Sequence, residues 1–568
     1  MYIRLLMFFF LITTVVFSQK TTLSEEVRAS IESRIAYGIN PSIVVGVIDK
    51  NGPRYYSFGS KSMGGDPANE HTIYEIGSIS KVFTGTMLAD NIVKGKMKAD
   101  DPISKYLPST VIVPTYEGQP ITLGNLSDHT SSLPRMPSNF SPANPDNPYA
   151  DYTVDQLYAF LSGCELTRPV GSEYEYSNLA VGLLGNILAS NAGTTFEALL
   201  TKMITTPLKM TETSITLSEK MKANLATGYS MGVEIPNWDL PTLAGAGAIR
   251  SSVHNMLLFL SANMGLSKSD LKKAMELAQT PRHDKAGGTS VGLGWHIASG
   301  KDGEVIFHNG ATGGYTGFTG FVKETGIGVV VLTNSSHSVD DIGFHLLDAN
   351  SNLESIYPSL ALALRQIIDS EGAKELIEKY NGLKEKGPDT YNANENDINA
   401  LGYYYMSKNQ VDAALAIFEI NVKEFPESFN VYDSYGEALM KNGQKEEAIV
   451  NYKKSLELKP GNINAVEMLA QMGEKVKMTE IEVAESILQS YVGIYELVPG
   501  FNLEISRNTQ QLFCQATGQS KFELFAASET DFYLKVLDAQ IVFSTSADGI
   551  ISLTLFQSGQ AMPGRRIK

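Results

Sequence analysis

The first strong strand signal lies at Ser42–Asp49, and no cluster of strands follows until after Gly292. Ser42 to Asp49 is almost wholly apolar, as a strand covered on both faces must be. Asn51-Gly52 reads as a hairpin turn, and Pro53 to Gly59 returns as a second strand. Ahead of this pair, Thr22 to Tyr37 carries apolar residues at helical spacing, opened by Ser24-Glu25-Glu26. Beyond Gly292, Glu304–His308, Gly317–Lys323 and Ile327–Asn334 read as three short strands separated by glycine-rich or Thr-Gly turns. The residues between, from about 80 to 275, are mostly helical, with a long Pro-, Asn- and Ser-rich loop at Ser131–Pro148. One sheet must therefore be assembled from both ends of the segment around a helical insert. The expected fold is α+β, closed by a helix at Ser359–Ser370.

At 568 residues the chain is too long for one core. Arg4, the apolar run Leu5–Phe17 and the small Val16 and Ser18 read as a secretory signal peptide over 1–18, with Gln19 opening the mature chain. A secreted or periplasmic location follows. No later run is apolar enough to span a membrane. The first globular unit is expected over 19–371. Residues 372–396, with breakers at Gly382, Gly387 and Pro388, read as a linker around a short helix. A repeat of period 34 follows over 397–475: Gly402 aligns with Gly436, Ala414 with Ala448, Phe418 with Tyr452 and Pro426 with Pro460. It resembles the tetratricopeptide pattern of paired helices, with Ile463–Met472 as a capping helix. Such a stack serves either as a groove for a protein partner or as a spacer. Over 485–568 the period changes to two. Phe501–Ile505, Gln511–Gln515, Phe522–Phe525, Phe532–Val536, Gln540–Phe543 and Ile551–Phe556 read as strands of a small antiparallel barrel or sandwich. Through Tyr491-Val492-Gly493-Ile494-Tyr495 this segment resembles a lipocalin-like domain.

The net charge of -16 argues against a nucleic-acid partner, although a local site can still be positive. Only Cys164 and Cys514 are present, so no disulfide framework exists; both are expected to be buried free thiols. No ligand spacing suggests a metal. Gly310–Gly317 opens no helix and so is no nucleotide loop. No cofactor is expected.

Gly77-Ser78-Ile79-Ser80-Lys81 stands where a loop enters an apolar helix. Three residues span about one helical turn, so Ser78 and Lys81 share a face. A serine hydroxyl needs a base to attack at neutral pH, and a lysine can serve if burial lowers its pKa. The helix start adds N–H groups that favour a developing oxyanion. The spacing alone is weak, for Ser269-Asp270-Leu271-Lys272 repeats it on an ordinary polar helix.

Further segments give Ser78 its context. Ile76–Thr84 resembles the nucleophile segment of class C β-lactamases and related penicillin-binding-protein-like esterases and peptidases. His129-Thr130-Ser131-Ser132-Leu133-Pro134 resembles that family's His-Thr-Ser-Gly-Leu-Pro loop, with Ser132 in place of the glycine. Tyr176-Ser177-Asn178, after Pro169 and Gly171, resembles its Tyr-x-Asn motif. Ala244–Gly247 and Gly292–Trp295 resemble further segments, and His308-Asn309-Gly310 stands at the Lys-Thr-Gly strand motif. The resemblance covers residues 22 to 370. It implies a β-lactamase/transpeptidase-like serine hydrolase working through an acyl-enzyme on a D-amino-acid peptide, an ester or a β-lactam. Tyr176 would relay a proton or act as a base, and Asn178 would bind a substrate carbonyl and hold the Lys81 region. The N–H groups of Ser78 and Ala311 would form the oxyanion hole, and Gly310 would keep the approach clear. His308 would touch substrate where relatives carry a lysine, and this disfavours β-lactams because histidine is only partly charged. His129 is expected to hydrogen-bond backbone. The alternative is a catalytically inert scaffold that uses its repeats and barrel to bind partners.

Overall fold

The computed structural model describes residues 23–285, 288–385, 391–475, 481–498, 501–517, 519–536, 539–545, 550–557 and 560–567. The leader expected at 1–18 lies outside the described residues. Strand β1 (Ser42–Asp49) pairs with β2 (Gly52–Gly59) and, on its other edge, with a strand from far downstream. The later strands are β3 (His283–Lys285), β4 (Thr289–Val291), β5 (His296–Gly300), β6 (Gly303–Ala311), β7 (Thr316–Val322) and β8 (Ile327–Thr333). Together they form one eight-stranded sheet in the order β2-β1-β8-β7-β6-β5-β4-β3. The two-ended sheet expected from the sequence is therefore present, with Val45 opposite Val331. Strands β3 and β4 gave no signal, since three residues are too few to show alternation. The β1–β2 turn also sits one residue earlier than the Asn51-Gly52 reading: Asp49 pairs with Gly52, so Lys50-Asn51 is the loop. Gly52 follows it at φ 102°, where a side chain would be strained.

Both faces of the sheet are covered, which explains the unbroken apolar run in β1. Ile43, Val45 and Val47 pack with Val27 and Ile31 of α1 (Glu25–Ala36) and Ile342 of α5 (Asp340–Leu347). Val44 and Ile48 face the helical insert, represented here by α2 (Ser80–Val93), α3 (Asn178–Asn191) and α4 (Val253–Asn263). Close contacts at glycine set the insert's geometry. A Cβ on Gly85 of α2 would lie 2.0 Å from the Leu293 carbonyl oxygen. One on Gly185 of α3 would lie 2.9 Å from the Gly245 Cα. The buried Arg250 guanidinium, 3.1 Å from Glu75, ties the strand leading to Ser78 to the segment after Ala246.

Helix α6 (Leu360–Glu371) corrects the sequence reading. Its Leu360, Ala361 and Leu364 share a core with Leu376 and Tyr380 of α7 (Leu376–Lys384) and with Ile398 and Leu401 of α8 (Glu395–Ser407), so it does not close the sheet. The segment read as a linker is thus partly a packed helix, anchored by two apolar residues one turn apart. Helices α9 (Val411–Glu424), α10 (Phe429–Lys441), α11 (Lys445–Leu458) and α12 (Ile463–Gln471) continue the stack. The repeated glycines are contact points: a Cβ on Gly402 would meet Phe418 at 2.6 Å, and one on Gly436 would meet Tyr452 at 3.0 Å.

The last unit begins with α13 (Glu485–Tyr491), not with a strand, and continues as a closed antiparallel barrel of eight strands. The sequence showed six of them. Gly493–Val498, interrupted by a bulge, and Gln560–Arg566, carrying Pro563 and Gly564, were missed; they close the barrel by pairing Tyr495 with Arg566. Leu488 and Tyr491 of α13 fill the barrel, Tyr491 stacking on Phe543 at 4.0 Å. Cys514 is buried there, which pushes its thiol up to about 11. Cys164 is only half-buried, contrary to expectation. Among the described residues no single helix is long and apolar enough to cross a membrane.

Gly85→Ala should destabilise the insert by about 1–3 kcal/mol, because its obstacle is backbone and cannot rotate away. A fall in the first thermal unfolding midpoint, followed by circular dichroism, checks this.

Candidate active site

Ser78 sits in the 3-10 turn Gly77–Ile79 that runs directly into α2, and Lys81 occupies the first turn of that helix. Gly77 takes φ 50°, which lets the chain turn sharply before the serine. The Lys81 Nζ is 2.9 Å from Ser78 Oγ, 2.9 Å from Asn178 Oδ1 and 2.8 Å from the Ala246 carbonyl oxygen. The Tyr176 hydroxyl donates to Ser78 Oγ at 2.7 Å. An amine from the same helical turn and a phenol from a distant segment therefore converge on the Ser78 hydroxyl. By contrast, the second Ser-x-x-Lys behaves as an ordinary helix start: Lys272 lies 3.8 Å from Glu276, and Ser269 accepts from the Leu271 N–H.

Lys81 is 0% exposed. Burial holds its amine well below the usual lysine range, and the nearby Arg135 cation pushes it the same way. None of its hydrogen-bond partners is a carboxylate. Tyr176 is pushed up to about 12 by burial, opposed by its bond to Ser78, so it is a neutral phenol. The structure fixes this tyrosine from behind. The His129 ring stacks on it at 4.6 Å, and His129 Nδ1 accepts the Ser177 N–H at 3.1 Å, the backbone bond expected from the sequence. Ser177 caps α3, which starts with Asn178. Ser132, which replaces the family's glycine, takes φ 62°, the region glycine favours.

Strand β6 forms the opposite wall. Thr312 donates to Tyr315 across the β6–β7 turn at 2.9 Å, so by antiparallel alternation the Ala311 N–H points away from β7, toward the edge where β5 has ended. That edge lies against the Ser78 turn. A Cβ on Gly310 would be 2.0 Å from the Ile76 carbonyl oxygen and 3.0 Å from the Ser78 nitrogen. Ser78, Tyr176, Asn178, Gly310 and Ala311 all line one cavity of about 640 Å³.

His308 does not reach that wall. Its side chain lies on the same face of β6 as Gly310, toward the insert, but is 1% exposed and packed 4.9 Å from the His296 ring, out of the cavity lining. Burial, with His296 and Lys81 nearby, holds it well below the usual histidine range. It is a neutral group buried behind the cavity wall, not a charged one at the position expected to touch substrate. The outward residue is Asn309, whose amide donates to Asp340 at 2.6 Å. The sequence reading also missed Tyr149, Tyr174, Trp238, Arg135 and Lys285 in the cavity wall. Arg135 follows Leu133-Pro134 directly and could have been found there; Lys285, on a three-residue strand, carried no signal.

A β-lactamase family model matches residues 27–349, more than half of the chain. The chain belongs to this β-lactamase family. A second model, a domain of unknown function (DUF3471), matches residues 477–566, the barrel region. Family members similar to this chain include the D-alanyl-D-alanine-carboxypeptidase/endopeptidase AmpH of Escherichia coli (strain K12), 30% identical over 305 residues, 51% of this chain and 78% of the relative. A β-lactamase of the same strain is 26% identical over 333 residues, 52% of this chain and 85% of that protein. A solved β-lactamase/D-alanine carboxypeptidase from Yersinia pestis, complexed with citrate, aligns with 27% identity and a TM-score of 0.49 over 55% of this chain and 92% of that one.

Removing the Arg135 cation relieves repulsion on the Lys81 ammonium, so Arg135→Gln should raise the Lys81 pKa. An NMR titration of 13C-labelled lysine Cε checks it; an unmoved or lowered value contradicts the electrostatic account.

Proposed function

We propose that the protein is a serine hydrolase that forms a covalent acyl-enzyme at Ser78 and acts on an amide or ester. The supporting observation is the convergence of Lys81 and Tyr176 on Ser78 Oγ at 2.9 and 2.7 Å. With Lys81 neutral through burial, hydrogen-bond bookkeeping supports the following roles. Asn178 Oδ1 and the Ala246 carbonyl can only accept, so they take both N–H bonds of a neutral amine. The remaining lone pair faces the Ser78 hydroxyl. Lys81 is then the base that takes the serine proton as Ser78 attacks the substrate carbonyl. Tyr176, a phenol at neutral pH, gives its proton to the leaving group and regains one from Lys81. The Ser78 and Ala311 N–H groups stabilise the oxyanion, Asn178 positions the substrate carbonyl, and water releases the acyl group. The substrate class is a D-amino-acid peptide or a β-lactam, as the relatives' names suggest, or a small ester that the same acyl transfer would cleave. We further read helices α8–α12 as tetratricopeptide-like, the barrel as lipocalin-like and residues 1–18 as an export signal.

A fluorophosphonate probe should label the wild-type protein and not Ser78→Ala; no labelling of folded wild type favours an inert scaffold. Catalysis needs the unprotonated amine, so kcat/KM on an activated ester should rise with pH through the lowered Lys81 pKa and stay high until Tyr176 titrates near 12. An acidic limb at the ordinary lysine value, about 10.4, would contradict the assignment. Gly310→Ala, whose methyl would collide with the Ile76 carbonyl, should cost about 100-fold or more in kcat/KM by spoiling the oxyanion pocket, as steady-state kinetics would show.

A further inference from the structure

The cavity carries two cations in a protein whose acidic side chains outnumber its basic ones by 62 to 46. Arg135 is exposed and Lys285 half-buried, and both line the space around Ser78. Neither forms an ion pair with a described residue. Each lies instead over a tyrosine ring of one short segment: the Arg135 guanidinium carbon 5.0 Å from the Tyr176 centroid, and Lys285 Nζ 5.1 Å from the Tyr174 centroid. His129 braces both rings, stacked on Tyr176 at 4.6 Å and edge-on to Tyr174 at 5.5 Å. The two charges are thereby held in place over the aromatic faces. Isolated surface cations are ordinary. Two that share one cavity, above braced rings and with no carboxylate partner among the described residues, are not.

The only carboxylate in the described cavity wall is Asp340, engaged with Asn309 on the opposite side, beside strand β6. The strand position where relatives carry a lysine holds the neutral, inward His308. The cavity's positive charge thus lies on the Tyr174–Tyr176 side and not on β6. Both cations also act on the buried groups behind them, Arg135 on Lys81 and Lys285 on His296. An anion entering the cavity would meet both charges without displacing a carboxylate.

We propose that Arg135 and Lys285 are the specificity-determining residues of this site, and that they select substrates bearing a carboxylate beside the scissile carbonyl. This rests on the acyl-transfer reading above. Tyr149, Trp238 and Leu240 would then receive the apolar remainder of such a substrate.

The test uses the full chain and two matched ester pairs. In one, the carboxylate is on the acyl group: mono-p-nitrophenyl glutarate against p-nitrophenyl butyrate. In the other, it is on the leaving group: the phenylacetyl ester of 3-hydroxybenzoate against that of 3-hydroxybenzamide. For each pair the ratio of kcat/KM, charged over neutral, is divided by the same ratio for hydroxide hydrolysis. In at least one pair the corrected ratio should exceed one and fall as sodium chloride is added. It should drop about tenfold in Arg135→Gln/Lys285→Gln and be retained in Arg135→Lys/Lys285→Arg. Because a ratio is read, a general loss of activity does not mimic the effect. Should the double variant fail to fold, Lys285→Glu alone should lower the same ratio. Corrected ratios of one or less in both pairs, or ratios unchanged by these substitutions, overturn the inference while leaving Ser78 labelling intact. A wild type that neither labels nor turns over any of the four esters overturns the acyl-transfer reading, and the inference with it.

Discussion

The site depends on the removal of one amine from water. Lys81 lies among a hydroxyl, an amide oxygen and a peptide carbonyl, with no carboxylate to stabilise a charge. An ammonium there would forgo its hydration for neutral acceptors alone, so burial favours the neutral amine. The surrounding architecture makes this position available. Gly85 lets α2 lie directly on the Leu293 backbone, and Gly185 and Gly245 let α3 approach the turn that carries the Ala246 carbonyl. Gly310 allows β6 to rest against the Ile76–Ser78 turn. These are backbone-to-backbone contacts, and together they leave little room for water around the nitrogen.

The parts of the site that could be read from sequence were those fixed by local geometry or by ordered motifs. Ser78 and Lys81 meet because three residues make one helical turn, and Tyr176 and Asn178 were found through a motif that begins a helix. The exposed edge of β6 was also foreseeable, since Ala311 follows the glycine. The role of His308 was not. It shares a face with Gly310, which lines the cavity, and what removes it from the wall is its burial against His296. Sequence spacing gives no access to that tertiary packing. Lys285 was hidden for a different reason, as it stands on a strand too short to have a period.

The same contrast holds for the rest of the chain. The 34-residue repeat was legible because each period buries the same small and aromatic positions, Gly402 on Phe418 and Gly436 on Tyr452. Residues 372–396 looked like a linker because only Leu376 and Tyr380 mark their buried side, yet those two suffice to dock a helix on the stack. The barrel's first and last strands lack clean alternation, and tertiary closure decides them. Its core, filled by Leu488 and Tyr491, is separate from that of the sheet and insert.

The two-ended sheet also shapes how the chain must fold. Strand β1 lies between β2 and β8, so the edge running from Ile43 to Ile48 has no covering strand until Ile327–Thr333 has been synthesised. A nascent chain can make the β1–β2 hairpin early, but for most of translation it carries an open, valine-rich edge able to template pairing with other chains. Closing so long a loop is slow, since its entropy is lost before any contact repays it. The intermediate that waits for β8 is therefore the aggregation-prone species of this protein, and holdase chaperones should act on it before the last sheet strand arrives.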